Sequence, residues 1–402
     1  MANILLVTLQ DGSIPIDEKV FLSLLDLSPI KNYKSYQRAL TDKSIPFTEL
    51  KDLALKADVP YPLFFAPLSK VREQLKDFNK QLYDRIPSKA EMKLHSRGKL
   101  DVSDIKLLLK DLSRKQGFLG KRVIKTAPQN NFVGLIAADV KAKRDSVYLA
   151  NKLRDHLGID LKVLRTKSKE KVVTYLTERL EAHNIIVSSS SHNYMPQKLT
   201  GVEMSGICLK DKKFPYIFVN TKDGDGNPKI IEPAGRQTFT LVAMLVSIAM
   251  NKFMFSSKTR GSKASYLKVV YAVVGEFLIP REDLKGEVVK KLSDLKRLSD
   301  RFKVTPSMCL YRLRELGMIT KALADALKKK LADEINKQSF HPKPPLPVNG
   351  YAKYNGQRFS TEVLRAEKNG VISSEEMRNV LFRKGKKMDN NLQRDYKNKF
   401  RV

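Results

Sequence analysis

The side chains able to run a reaction are few in this chain and widely spaced. Its five histidines, His95, His156, His183, His192 and His341, include no two at the sequence spacing that brings both imidazoles to one metal. Asp223-Gly224-Asp225-Gly226-Asn227 has the alternating oxygens that open a calcium loop. It lacks the later Gly and the bidentate Glu, so a polar hairpin turn is expected there. Ser188–Ser191 followed by His192 offers hydroxyls and a base, but no partnered acid or oxyanion motif goes with them, and a polar loop beside a strand is the expectation. No Gly-rich phosphate loop is present. Cys208 and Cys309 stand far apart among apolar neighbours, as buried thiols in a reducing compartment would.

Charge is the strongest chemical signal. Lys and Arg number 75 against 43 Asp and Glu, a net charge of +32. A Lys-rich composition alone does not explain so few acids beside them. Such an excess attracts polyanions, nucleic acid before anionic membrane. The cations cluster. Lys258, Arg260, Lys263 and Lys268 form one candidate nucleic-acid-binding group, and Lys290, Lys291, Lys296 and Arg297 a second. The C-terminal end holds Arg383, Lys384, Lys386 and Lys387, then Arg394, Lys397, Lys399 and Arg401 interleaved with Tyr396 and Phe400. Gly385 and Asp389-Asn390-Asn391 suggest that this end is a mobile arm, its basic residues on phosphates and its aromatics stacked on bases. For each cluster the competing reading is a solvated cationic face.

The element that must position any site is Phe239–Met250, an apolar run without Gly or Pro and long enough for about three helical turns. No face of it is polar, so it reads as a helix packed inside a domain. It is too short, and followed too soon by Lys252, to span a bilayer. Ahead of it lie strand candidates at Ile185-Ile186-Val187, Ser205–Leu209 and Pro215–Val219, the last two joined by the turn Lys210-Asp211-Lys212-Lys213. After it a second apolar helix stops at Phe277-Leu278-Ile279-Pro280.

Nearer the N-terminus, Asn3–Leu9 is a strand candidate closed by Asp11-Gly12, and Asp17 caps a helix through Leu25. Lys31–Lys43 reads as a polar stretch. Thr48 is the expected cap of a helix carrying Leu50, Leu53, Ala54 and Ala57, and Ser103 of one carrying Ile105, Leu108, Leu109 and Leu112. Helices are expected at Ser146–Leu157, stopped by Gly158, and at Lys169–Ala182. Downstream, Thr305 caps a helix with Pro306 in its first position. Pro342, Pro344, Pro345 and Pro347 with Gly350 mark a linker. Two short helices follow, one from Ser360 and one from the capping box Ser373-Ser374-Glu375-Glu376.

A strand ending near Asn220, a basic loop with Arg236-Gln237-Thr238, Phe239-Thr240-Leu241 opening the central helix and a later helix stopping at Ile279-Pro280 together resemble the ImmA/IrrE family of prokaryotic metallopeptidases. Phe47–Phe65 is similar to the end of the helix-turn-helix module that often precedes that peptidase. Arg85–Leu119 resembles the family's connecting segment, with Arg114–Leu119 similar to its ending, and Val304–Ile319 resembles its small helical unit. The resemblance spans roughly residues 45–381. It implies an α+β fold: a mostly helical chain with a zincin-like core, in which a small, mostly antiparallel sheet packs on the buried central helix, plus helical N- and C-terminal parts. The implied divisions are 1–84 (helical, partly helix-turn-helix-like), 85–130 (connecting segment), 131–285 (zincin-like), 286–338 (helical unit), 339–350 (linker) and 351–402 (small basic C-terminal domain and tail).

The same alignment sets Ala243 and Ser247 at the family's two zinc-binding histidines and Met244 at its general-base Glu. Ala cannot bind a metal, Ser is a poor zinc ligand and Met cannot accept a proton. Between Arg260 and Gly275, where the family's acidic third ligand falls, there is no carboxylate or His. The expectation is a pseudopeptidase without cofactor, cytoplasmic and not membrane-bound. Its expected partner is nucleic acid, DNA in the first place, in transcription regulation or phage defence. The alternative is a module that holds a helix-turn-helix repressor in the old groove without cleaving it.

Overall fold

The computed structural model describes residues 4–83, 102–191, 193–199, 202, 204–221, 232–252, 255–256, 265–335, 345–382 and 390–402. It is a mixed α+β chain with two sheets among many helices.

The second sheet is the centre of the molecule. Its strands are β4 (Ile186–Ser189), β5 (Gly206–Leu209), β6 (Tyr216–Val219) and β7 (Phe255–Ser256), in the order β4-β6-β5-β7. β4 runs parallel to β6 and the other pairs are antiparallel, so the sheet is mixed. Successive residues of a strand point to opposite faces. Val187, Cys208, Ile217 and Val219 enter one core with the central helix. Ile186, Ile207, Leu209, Tyr216 and Phe218 enter a second core with the helix Lys106–Phe118 and the C-terminal helices. Both faces are covered, which is why these strands are apolar runs without alternation.

The central helix is Ala234–Ala249, beginning five residues before the apolar run that marks it in sequence. Its first turn lies against the start of another helix, Pro306–Glu315. A Cβ on Gly235 would stand 2.5 Å from the Val304 carbonyl carbon, so the close approach requires glycine. From Thr240 to Ala249 every residue is buried. The helix Ser265–Leu278 packs beside it, and Ser146–Leu157 packs on that helix in turn.

The C-terminal helices Pro347–Asn355, Gln357–Lys368, Ser374–Leu381 and Asn390–Phe400 lie on the far face of the sheet. They share their core with the sheet and with Lys106–Phe118, so they are not a small domain with a core of its own. Pro347 and Gly350, read as linker, belong to the first of these helices; Pro342 and Pro344 lie outside the described residues. At the turn between the first two, Gly356 has φ 80° and ψ 160°, a region reserved for glycine.

The N-terminal region is not the all-helical unit that its resemblance suggests. β1 (Ile4–Leu9) and β2 (Gly12–Asp17) form a hairpin, and β3 (Ser44–Pro46) runs parallel to β1, in the order β2-β1-β3. Leu5, Val7 and Ile16 from the sheet close a third core with Leu50, Leu53 and Ala54 of the helix Phe47–Lys56. The stretch read as polar holds a helix, Lys34–Asp42, which buries Tyr36 and Ala39. No helix among the described residues is long and apolar enough to cross a membrane.

Candidate functional site

The positions aligned with a zinc site lie midway along the central helix, packed as core. Ala243, Met244 and Ser247 are fully buried, in one cluster with Val270, Val273, Val274 and Phe277. Ser247 Oγ donates to the Ala243 carbonyl at 2.8 Å, one turn back, which satisfies the only hydroxyl there. These three side chains offer no imidazole, carboxylate or thiolate, so they do not suit zinc. One residue beyond Gly275 stands an acid, Glu276, which is committed elsewhere. Its carboxylate takes Arg281 Nε at 2.6 Å and pairs with buried Arg312. Burial works to raise its pKa, and the hydrogen bonds from Arg312 and Arg281 outweigh it, holding Glu276 below the usual range.

At the N-terminal end of the central helix the sheet and helix enclose a buried polar cluster. Ser190 Oγ accepts from the Thr221 amide at 2.9 Å, and the Thr221 hydroxyl accepts from Lys353 Nζ at 2.8 Å. Asn220 Nδ2 donates to the Met204 carbonyl at 2.8 Å, and Gln237 Nε2 to the Glu232 carbonyl at 2.7 Å. Glu232 Oε1 accepts from Ser205 Oγ at 3.3 Å and faces Arg236 Nε at 3.8 Å. Burial pushes the Glu232 carboxyl up to about 7 against the pull of Arg236. Among the described residues, Glu232 Oε2 and the hydroxyls of Thr238 and Thr240 have no hydrogen-bond partner. A neutral, proton-bearing Glu232 eases that arrangement, since an ionised carboxylate there lacks the donors it needs.

A cavity of about 230 Å³ opens where the N-terminal region meets the C-terminal helices, between Asp58, Leu107, Arg114, Tyr194 and Phe382. Asp111 and Lys115 lie at its wall. Tyr354 Oη donates to Asp111 Oδ2 at 2.6 Å, Arg114 pairs with the same carboxylate, and Lys115 Nζ stands 3.3 Å from it and 3.6 Å from the Tyr354 ring centre. Burial wins at Lys115, whose ammonium has one carboxylate oxygen to lean on, and its pKa falls to about 8. Burial loses at Asp111, where Lys115, Arg114 and the Tyr354 hydroxyl hold the carboxyl below its usual range. At 1 % exposure the Lys115 amine is out of a substrate's reach. The group works as a joint between two helices. Neither it nor Glu232 stands out in sequence, because Tyr354 is 243 residues from Asp111 and Ser205 is 27 from Glu232 along the chain.

The basic clusters fare unequally. Lys258, Arg260, Lys263, Arg383, Lys384, Lys386 and Lys387 lie outside the described residues. Lys268 is exposed on its helix. Lys290 and Lys291 are exposed, while Lys296 pairs with Glu334 at 2.7 Å and Arg297 with Glu287 at 2.5 Å, so half of that cluster is neutralised. Residues 390–400 are a helix and not an arm. Tyr396 is fully buried, sharing hydrogen bonds with Ser360 Oγ at 2.7 Å and Asn355 Nδ2 at 3.0 Å, and Phe400 is buried beside it. Those aromatics therefore have no free face for a base. Lys397 pairs with Glu367 at 2.9 Å and exposed Arg394 with Asp395 at 3.5 Å, leaving Lys399 and Arg401 exposed.

The fold also brings two histidines together that sequence spacing kept apart. The rings of His156 and His183 are 5.0 Å apart, tilted by 39°, with Phe132 against His156. Burial, then the neighbouring His156, lowers the His183 pKa. No group of three potential metal ligands occurs among the described residues. Both cysteines are buried and neither is in a disulfide, and burial pushes the Cys309 thiol up to about 12. The chain matches no family model, no curated protein and no solved structure.

Proposed function

We propose that this chain is a nucleic-acid-binding protein on a zincin-like scaffold of ImmA/IrrE type, with duplex DNA as its partner and no peptidase chemistry at the central helix. The observation that carries the reading is the net charge of +32. A field of that size recruits polyanions and releases their counterions on contact. The absence of hydrolytic chemistry from this role is supported by Ala243, Met244 and Ser247, which stand where two zinc ligands and a base would be needed and instead fill the core. The small sheet laid on a buried helix supports the scaffold assignment.

The test is what travels with the protein. Purified at low salt from cells, it should carry nucleic acid that absorbs at 260 nm and is removed by nuclease or by a high-salt wash. Protein that emerges free of nucleic acid but with a stoichiometric repressor-like partner, held through the salt wash, would replace this reading with that of a protein-binding module.

A further inference from the structure

Two segments about ninety residues apart along the chain meet at one corner of the sheet, and together they concentrate positive charge. The first is Lys121–Lys125, in and just after a π-helical turn that follows the helix Lys106–Phe118. The second is the β5–β6 turn, Lys210–Lys213. Lys213 Nζ donates to the Lys125 carbonyl at 2.9 Å, binding the turn to the first segment, and Gln116 Nε2 donates to the Phe214 carbonyl at 2.9 Å, binding it to the helix before that segment. The Asn130 amide donates to the Lys212 carbonyl at 2.7 Å, so the turn is fixed from both sides.

We propose that this corner, built from Lys121, Arg122, Lys125, Lys210, Lys212 and Lys213, is the surface that grips the phosphate backbone of duplex DNA. The proposal rests on the nucleic-acid reading above and gives it a site. The acids nearby are already committed. Asp211 Oδ1 accepts the amides of Lys213 and Phe214, each at 2.8 Å, and thereby closes the turn. Glu376 pairs with Arg122 at 2.5 Å and also caps its own helix. Lys121, Lys125 and Lys212 are exposed, and none is in an ion pair among the described residues. At Lys290–Arg297, by contrast, carboxylates take up two of the four cations.

Rigidity adds to charge. A backbone held at both segments presents its lysines without the ordering cost that a loose basic tail incurs on binding. The nearby ring of Phe214 is buried and is not available to stack on unpaired bases. That favours duplex backbone over single strands.

The experiment compares the full-length protein with two triple variants of equal charge loss. One carries Lys121→Gln, Lys125→Gln and Lys212→Gln. The control carries Lys328→Gln, Lys329→Gln and Lys330→Gln, three exposed positions on the helix Lys321–Ile335. All six side chains lie at the surface, so both variants should fold, which thermal melting verifies. Each is titrated against a random-sequence DNA duplex and a dT oligomer across salt. The corner variant should lose at least about tenfold in duplex affinity at physiological salt, with the log–log salt slope falling by about 2 to 3, near 0.9 per lost phosphate contact. The control should stay within about twofold of the parent. Equal losses in both variants, or a loss confined to the dT oligomer, would overturn the proposal while leaving nucleic-acid binding in place. A parent protein without salt-sensitive binding would overturn both.

Discussion

Arg312 and Glu276 pair in the interior, each with a side chain 2 % exposed, and join the helices Pro306–Glu315 and Ser265–Leu278. Arg312 also donates from Nε to the Ile279 carbonyl at 3.2 Å and from Nη1 to Glu315 at 2.8 Å. Gly275 makes the room, since a Cβ there would sit 3.1 Å from the guanidinium. Arg312→Met should cost about 3 kcal/mol or more, because Glu276 is left buried with Arg281 alone, and replacing both partners by apolar residues should recover most of the loss. Urea unfolding of the two variants decides this. A double variant as weak as the single one would show that the arginine acts through its own packing.

Two buried carboxyls give a pH dependence of definite sign. Burial raises Glu181 and Glu232 to about 7 from an ordinary 4.5. Their contribution is complete below pH 4.5 and is lost as pH rises through 7, where the folded state must ionise them. The opposite holds for Glu276 and Asp111, whose lowered pKa values give stability above the ordinary carboxyl range that is lost as acid protonates them. Glu232→Gln should match the parent near pH 4 and exceed it at pH 8 by up to roughly 3 kcal/mol. Parallel stability curves for parent and variant would contradict the buried-acid assignment.

The C-terminal helix is structural. Tyr396→Phe should cost about 1 kcal/mol through its lost hydrogen bonds to Ser360 and Asn355. Deleting 388–402 removes Tyr396 and Phe400 from the core and should cost about 4 kcal/mol or more. A truncated protein that melts with the parent would restore the picture of a loose arm.

Gly356 is where the C-terminal helices meet the sheet. A side chain there meets both a glycine-only backbone conformation and the Val187 carbonyl oxygen. Gly356→Ala should therefore cost more than about 2 kcal/mol. Differential scanning calorimetry would register it. A melting temperature unchanged within error would mean that the turn relaxes freely.

Much of the secondary structure was legible, because local signals act locally. Helices form at Ser146–Leu157 and Lys169–Ala182 as their periodicity predicts, and Gly158 takes φ 60° at the first stop. The caps at Asp17 and Thr305 and the box at Ser373 and Glu376 make their bonds. Thr48 and Ser103 do not cap. Pro46 already starts the helix at Phe47, which puts Thr48 inside the first turn, and Ser103 falls within a short 3-10 turn. Long-range relations were not legible. Tyr396 and Phe400 stand at i and i+4, a spacing that serves a buried stripe as well as a basic arm, and only the core on the far face of the sheet, which they join, selects between them. The lysines of the β5–β6 turn look like ordinary turn residues until Lys121–Lys125 arrives beside them.

The central claim is that the positive field serves nucleic acid. The most direct test is the fluorescence anisotropy of a labelled random-sequence duplex, titrated with the intact protein across salt. The account predicts tight binding at low salt and a log–log slope of at least about −3, as several phosphate contacts require. Binding that is absent at low salt, or indifferent to it, would contradict the account.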